Sequence, residues 1–296
     1  MALSEYNFNL LQSGLISSDS QIVEILCHFG VVNEDKCCPN CNDLLNINKD
    51  CSKLNKCRYF CKICKKRFEV SSLTKFKGTK IPLIKIMQCI SLFVREMNLE
   101  EAADKTGVSK KSMVMIHSSI REAIFQHVES TTGMIGNNGP VENDETVIAR
   151  RKYNRGRVVP LQWLFGGIER EGGRFFLKTV PKRDSETLGA EIKNFIVEGS
   201  TVYSDQWGAY QKFFRQNPEY SHSTVNHSRE FVNGNNPSIH TQNIEGLWSL
   251  LKRFMRRRGL NRRSNIEKYL AEFVFRKTYS AKSQCEMFKL IVNLLF

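Results

Sequence analysis

The sequence predicts an α/β domain preceded by a zinc module and a helical segment. Two cysteine pairs near the start, and a change from helical to strand patterns near residue 138, support this prediction. At 296 residues and 41% hydrophobic, the chain is long enough for about two domains and a sizeable core. We expect five segments along the chain: an N-terminal helical segment (1–35), a zinc ribbon (36–72), a helix-turn-helix region (73–130), the α/β domain (138–282) and a C-terminal helix (283–296).

Basic residues outnumber acidic ones and occur in clusters. The chain has 44 Lys+Arg against 30 Asp+Glu, which gives a formal charge of +14 and a pI of 9.4. Seven basic residues lie within 53–67 and seven more within 252–263. This excess indicates a polyanionic partner whose affinity falls steeply with salt. Solvated faces or a localisation signal are the alternatives for either cluster.

Membrane insertion and a disulfide framework are both disfavoured. The longest apolar stretch, 86–94, is far shorter than the roughly 18–20 residues that span a bilayer, and the start lacks a secretory pattern. Ten cysteines in such a chain favour metal binding over disulfides. We therefore expect an intracellular protein, nuclear if its host is eukaryotic, that has no membrane partner.

Cysteine spacing predicts a structural zinc site. Cys38 and Cys41 form one CxxC pair, and Cys61 and Cys64 form a second, with nineteen residues between the pairs. A CxxC turn directs both sulfurs to one tetrahedral ion, so two turns complete a four-thiolate shell. Unliganded thiols are the alternative. The choice of the four ligands is ambiguous, because three further cysteines lie nearby: Cys37, Cys51 and Cys57. We expect these three to be free thiols or to serve local packing.

Helices are predicted on both sides of this module. Apolar residues within 22–26 indicate one helix before it, and residues 81–97 indicate another after it, with Pro82 in the first turn. Two short helical patterns then follow within 99–120.

These two patterns are typical of a helix-turn-helix. Gly107 lies in the turn, and Ser109 is placed to cap the second helix. Lys110 and Lys111 would then lie at the N-terminus of a recognition helix, where major-groove contacts are made. An ordinary helical hairpin is the alternative.

Residues 131–140, with three glycines and a proline, mark the boundary of the α/β domain. Hydrophobic patterning beyond it predicts four strands and two helices. The strands are 141–148, 158–168, 174–180 and 201–204; the helices are 184–197 and one that begins at Trp207. A further amphipathic helix carries Glu245, Trp248 and Lys252.

Three acidic residues are candidates for a metal site. Asp144 lies in the first strand of the domain, Asp205 follows a buried strand, and Glu245 lies in the last amphipathic helix. Carboxylate oxygens suit Mg²⁺, and a pair of such ions can serve phosphoryl transfer. A turn or cap aspartate is the alternative for Asp205, and a solvated helix-terminal acid is the alternative for Glu245. Glu142, two residues before Asp144 on the same strand face, is the main competing candidate.

Six motifs occur here in a specific order. The zinc knuckles and KFKGTKIP at 75–82 are followed, after GVS at 107–109 in the turn of the helical region, by VENDE at 141–145, YSDQW at 203–207 and HTQNIEGLWSLLK at 240–252. In this order they resemble the Merlin superfamily of DDE transposases and related bacterial insertion-sequence transposases with an N-terminal zinc ribbon. The resemblance covers about residues 22–279.

The resemblance implies an RNase H-like catalytic domain and Mg²⁺-dependent (or Mn²⁺-dependent) cleavage of transposon ends, with strand transfer into target DNA. It implies that Asp144, Asp205 and Glu245 are the metal-binding triad and that Lys252 contacts DNA nearby. Self-association is implied too, since transposases pair two DNA ends. Further basic residues are expected to bind the double-stranded DNA backbone: Arg150, Arg151, Lys152, Arg253 and Arg256.

Two other functions remain open at this point. A transposon-derived DNA-binding protein without catalytic activity would keep the zinc ribbon and helix-turn-helix. Because a fold does not fix a function, a nuclease or resolvase of the same fold is also possible. Such an enzyme would recognise the structure of branched or damaged DNA, cleave it and not join ends. The presence of all three acids favours the transposase.

Overall fold

The computed structural model describes residues 3–148, 162–225, 238–258 and 265–296. The chain divides into two units: the first comprises Met1–His127 and Tyr279–Phe296, and the second comprises Val128–Thr278. Within the described ranges, every helix is too short or too polar to cross a membrane.

The first unit combines a small sheet with six helices among the residues described. Its strands form an antiparallel sheet in the order β1-β2-β3: β1 (Leu45–Lys49), β2 (Cys57–Cys61) and β3 (Arg67–Glu69). Its helices, numbered along the whole chain, are α1 (Leu3–Ser13), α2 (Asp19–His28), α3 (Leu83–Val94), α4 (Leu99–Thr106), α5 (Lys110–Thr131, which runs into the second unit) and α10 (Gln284–Leu295).

Helix α3 forms the centre of the first unit. All of its residues except Lys85 are buried, as expected for a helix that is hydrophobic on every face. The core around it includes aromatic contacts between α1, α2 and α10. The Phe288 ring of α10 lies 5.2 Å from that of Phe8 and 4.9 Å from that of Phe29. The end of the chain is therefore part of the first unit's core.

The two helices of the predicted helix-turn-helix are present. Helix α4 ends at Gly107, which has a φ of 68°, a conformation that glycine adopts without strain. The Ser112 amide donates to the Ser109 hydroxyl at 3.2 Å, so Ser109 caps α5 as predicted. Both Lys110 and Lys111 are exposed. DNA binding by this pair of helices stays a prediction.

The second unit contains a five-stranded mixed sheet. Its strands are β4 (Val141–Val147), β5 (Trp163–Glu169), β6 (Phe175–Val180), β7 (Thr201–Asp205) and β8 (Ser221–Val225). Its helices are α6 (Ser185–Phe195), α7 (Gly208–Gln216), α8 (Gln242–Arg257) and α9 (Ile266–Thr278). The strand order is β6-β5-β4-β7-β8. Strand β5 is antiparallel to its two neighbours, while β7 is parallel to β4 and to β8.

This strand order and these directions confirm the predicted RNase H-like α/β fold. Successive side chains of β5 and β6 pack into two different hydrophobic cores, one on each face of the sheet, because a strand directs them alternately to its two faces. Phe165 and Phe176 pack with residues of α6 and α7, whereas Leu164 and Leu177 pack with residues of α8 and α9. The sheet thus lies between two helical layers. Strand β8 was not predicted, and residues 158–161 of the second predicted strand lie outside the described ranges.

A buried carboxylate ties the turn after β5 to the segment before β4. Glu169 is fully buried and accepts hydrogen bonds from the Gly136 and Asn138 amides, both at 2.9 Å, and from Arg174 Nε at 2.9 Å. Burial opposes ionisation of Glu169, but these hydrogen bonds outweigh it and lower its pKa to about 2.

The depressed pKa of Glu169 predicts an acid-dependent loss of stability. A group with a lowered folded-state pKa stabilises the fold above its ordinary pKa of 4.5, and this contribution is lost as the pH falls towards 2. Glu169→Gln should therefore reduce the free energy of unfolding more at pH 7 than at pH 3. Urea denaturation at both pH values measures this, with the exposed Glu219→Gln as control. Equal penalties at the two pH values would refute the prediction.

Candidate active site and zinc centre

Asp144 and Asp205 occupy matching positions on adjacent parallel strands. The β4–β7 ladder pairs Val141 with Val202 and Glu142 with Tyr203. Asp144 and Asp205 each follow the second pair by two residues, so the pleat directs both side chains to the face that Glu142 occupies. The two aspartates therefore lie side by side where this ladder ends.

Helix α8 brings the third acid to the same face. Glu245 lies in the first turn of α8 and is exposed. One turn later, Trp248 donates its indole N–H to Asp144 Oδ2 at 3.0 Å. Gly166 of β5 permits this approach, because a Cβ at that position would come within 2.8 Å of the Trp248 ring. Trp248 is thus the contact that joins α8 to the first aspartate.

Asp205 and Glu245 act electrostatically on Asp144. The pKa of Asp144 is raised to about 6, chiefly by burial and further by the negative charges of Asp205 and Glu245. Hydrogen bonds from Trp248 and the Glu145 amide act in the opposite direction. The main contributions to this pKa include no basic side chain, so a bound cation would offset the repulsion among the carboxylates.

The donor set fits a divalent metal. Hard carboxylate oxygens are the ligands that Mg²⁺ prefers. N–H groups hold one oxygen of each aspartate, since Trp248 binds Asp144 and the Trp207 amide binds Asp205 Oδ1 at 2.9 Å. Among the described residues, the one group of three or more ligand atoms compact enough to hold a single ion is formed by four cysteines. The three acids do not form such a compact group.

Glu142, the competing candidate, has a structural role. It is fully buried, and its carboxylate accepts from the backbone amides of Asn243 at 2.8 Å and Ile244 at 3.1 Å. The Asn243 side-chain amide also donates to it, at 2.8 Å. A carboxylate at a helix N-terminus satisfies free N–H groups and interacts favourably with the helix dipole. Glu142 therefore anchors the first turn of α8, which carries Glu245, to the strand that carries Asp144.

Arg170 completes this anchor and was not predicted. Its Nε donates to Glu142 at 2.7 Å, and its two Nη atoms donate to the carbonyls of Ser238 and His240, the latter at 2.6 Å. One guanidinium thus fixes both the carboxylate and the segment that leads into α8. No local pattern marks Arg170 in the sequence, whereas the alternation of β4 did place Glu142 on this face.

The four predicted zinc ligands come together in the first unit. The sulfur atoms of Cys38, Cys41, Cys61 and Cys64 all lie within 4.8 Å of one another. Cys38 Sγ is 3.5 Å from Cys64 Sγ, and Cys41 Sγ is 3.4 Å from Cys61 Sγ. Four cysteines this close together could hold one metal ion, and a shell of four thiolates would suit zinc and leave no open position for catalysis. Cys37 and Cys51 are exposed outside this group, and Cys57 is buried in β2 with its thiol on the Asn55 carbonyl.

Cys38→Ser should remove zinc and unfold the ribbon, because structural zinc supplies much of the folding energy of such small modules. We expect zinc content to fall from one ion per chain to near zero, and proteolysis within 36–72 to accelerate. Cys37→Ser is the matched control, since it changes the neighbouring cysteine alone. Zinc loss in Cys37→Ser but not in Cys38→Ser would show that the ligand register is wrong.

The predicted DNA-binding residues of the second unit are only partly described. Arg253 and Arg256 are exposed on α8, and Lys252 is half-buried two turns after Glu245. Arg150, Arg151 and Lys152 lie outside the described residues. Part of the basic cluster is structural, because Arg258 donates to the buried Glu272 at 2.6 Å.

The sequence of the second unit matches a known family. The family model of the ISXO2-like transposase domain matches residues 137–278, just under half of the chain. None of the curated proteins is similar enough in sequence to match.

Three solved structures illustrate the similarity to integrases. The BIV integrase catalytic core domain is 10% identical and has a TM-score of 0.34; the match covers 50% of this chain and 87% of that one. The HTLV-2 integrase catalytic core domain in complex with magnesium, trimeric form, is 14% identical with a TM-score of 0.34, covering 52% and 98%. A simian T-cell lymphotropic virus intasome in complex with PP2A regulatory subunit B56 gamma is 12% identical with a TM-score of 0.33, covering 64% and 67%.

Because these TM-scores are low, we assign the fold from the strand order of the sheet and not from the superposition on these structures. The family match falls on the residues that form this sheet and carry the three acids. It supports a DDE transposase family for residues 137–278.

Proposed function

We propose that this protein is a DNA transposase that cleaves transposon ends and joins them to target DNA by two-metal phosphoryl transfer. The observation that carries the proposal is the grouping of Asp144, Asp205 and Glu245 on one face of an RNase H-like sheet, where the charges of Asp205 and Glu245 raise the pKa of Asp144. The match to the ISXO2-like transposase domain supports it independently. The narrower Merlin assignment stays a prediction.

In this proposal, Asp144 and Asp205 hold Mg²⁺ or Mn²⁺, and Glu245 completes one coordination shell from α8. Ions bound there would activate water or a 3′-hydroxyl and neutralise charge on the phosphate. Trp248 orients Asp144, and the Trp207 amide orients Asp205. A covalent protein nucleophile is not required, since the attacking group comes from water or DNA.

Basic residues would position the DNA. Lys252 lies seven residues after Glu245 on the same side of α8, roughly 10 Å away, where it can contact a phosphate beside the metals. Arg253 and Arg256 extend this surface along the helix, and Arg150, Arg151 and Lys152 are proposed to contribute from the chain after β4. The zinc ribbon and Lys110 and Lys111 of α5 would recognise the transposon ends. Pairing two ends requires a homo-oligomer.

A single labelled substrate distinguishes the candidate functions. We would incubate the protein with end-labelled duplexes taken from the DNA that flanks its coding sequence, a supercoiled target plasmid, and Mg²⁺ or Mn²⁺. Cleavage at a defined end followed by label in the plasmid is the expected result. Cleavage without joining would favour a nuclease, and binding without cleavage would favour a DNA-binding protein that lacks catalytic activity.

A further inference from the structure

An arginine lies between two tryptophans next to Asp205. The guanidinium carbon of Arg183 is 4.0 Å from the ring centre of Trp163 and 4.7 Å from that of Trp207. Trp163 begins β5, Arg183 directly precedes the residue that caps α6, and Trp207 directly precedes α7. Three separate elements of the second unit thus contribute to one stack of planar groups, which we call the Trp-Arg stack. Cation–π contacts of this kind stabilise such an arrangement.

Trp207 is both fixed and exposed. Its indole N–H donates to the Arg183 carbonyl at 3.1 Å, and its backbone amide donates to Asp205 Oδ1 at 2.9 Å. Even with Arg183 over its ring, 43% of the residue remains exposed. Single exposed apolar residues are common, but this ring is fixed by its indole hydrogen bond and by the Arg183 cation. Ordering a bulky exposed ring costs conformational entropy, which contact with solvent does not offset.

From this geometry, and given the proposed function, we infer that the Trp-Arg stack binds an unpaired nucleobase of the DNA strand held at Asp144 and Asp205. The base would stack on the exposed surface of Trp207. Such stacking is favourable for each base and tolerates any sequence, because every base has a flat π face.

The chemistry of Trp207 favours a base over a phosphate or a polar side chain. Its only side-chain donor is already bonded to Arg183, so the indole offers a partner flat apolar surface and no hydrogen bond. A phosphate needs donors or a cation, which the exposed part of the Trp207 ring does not itself supply.

The position is also suitable for DNA at the metal site. Trp207 is two residues from Asp205, so their Cα atoms are no more than about 7 Å apart. A nucleotide next to the phosphate at the metals would therefore lie within reach of the ring. Unpairing a base costs free energy, and stacking on a fixed ring offsets part of that cost.

Binding without turnover tests this inference. We would measure the affinity of the full chain for labelled (dT)20 and for an abasic 20-mer with the same phosphates, by fluorescence anisotropy over a salt series without added magnesium. Wild type should bind (dT)20 more tightly than the abasic strand. Trp207→Ala should weaken (dT)20 binding about tenfold and leave abasic binding and the salt slope unchanged. Trp207→Phe should retain most of the preference, and Tyr6→Ala, an equally exposed aromatic of the first unit, should retain all of it.

The outcomes separate this inference from the proposed function. Equal affinity of wild type for the two strands, or an unchanged preference in Trp207→Ala, would overturn the inference. A reduced salt slope in a Trp207→Ala protein that melts like wild type would do so too, because the residue would then serve phosphate binding. Loss of the base preference in Trp207→Ala together with a wild type that never cleaves DNA would support base binding and overturn the transposase.

Discussion

Asp205→Asn should abolish both DNA cleavage and strand transfer, with a loss of at least about 10³-fold in rate. Asparagine keeps the side-chain oxygen that accepts the Trp207 amide, so the turn after β7 should survive. It removes the negative charge that a divalent metal requires. Rates on the labelled duplex, together with a thermal melt, measure the effect on activity and on the fold separately.

Asp184→Asn is the matched control for this substitution. Asp184 caps α6 by accepting from the Thr187 amide at 2.8 Å, and asparagine caps a helix equally well. We expect wild-type cleavage in Asp184→Asn. If Asp205→Asn retains more than about a tenth of wild-type cleavage, or loses joining alone, Asp205 does not bind the catalytic metal.

The second large effect concerns Arg170, which holds α8 in place through Glu142. Arg170→Ala should lower the free energy of unfolding of the second unit by about 3–5 kcal/mol, because it removes the guanidinium that pairs with a buried carboxylate. It should also raise the metal concentration needed for half-maximal cleavage, since Glu245 is carried by the helix that this ion pair anchors. All three tryptophans of the chain lie in the second unit, so tryptophan fluorescence in denaturant reports the stability of that unit alone.

Arg174→Ala is the control that distinguishes an effect of Arg170 on the position of Glu245 from a general loss of stability. Arg174 pairs with the buried Glu169, whose hydrogen bonds tie the turn after β5 to Gly136 and Asn138, whereas those of Glu142 go to the first turn of α8. Arg174→Ala should destabilise the unit by about 1–3 kcal/mol and leave the metal dependence unchanged. Arg170→Lys should restore part of the metal affinity. An identical metal dependence in Arg170→Ala and Arg174→Ala would show that Arg170 has only a structural role.

Local patterns predicted much of this molecule from sequence. Each CxxC pair is a four-residue feature, and Asp205 directly follows a short buried strand, so both were visible without knowledge of distant contacts. Gly107 and Ser109 mark the turn between α4 and α5 for the same reason. Successive side chains of a strand point to opposite faces of the sheet, so the predicted strand places Asp144 and its neighbour Asn143 on different faces.

The remaining features depend on contacts between distant parts of the chain. Arg170 binds residues about seventy positions later, and nothing near it in sequence indicates that role. Strand β8 is short and rich in polar residues, and its partner is β7, so its own pattern is weak. The Trp-Arg stack joins three elements, none of which reveals the others.

The division of the chain has a consequence for how the protein is made. The second unit is an insertion within the first, and its two connections are adjacent, since the ring of His127 is 3.0 Å from the Tyr279 hydroxyl. All of the second unit is synthesised before α10, whose Phe288 fills the core around Phe8 and Phe29. During translation the sheet and its acids can therefore assemble first, while the unit that contains the four-cysteine cluster must wait for α10. A nascent chain stalled before α10 would hold a folded second unit beside a first unit with an incomplete core.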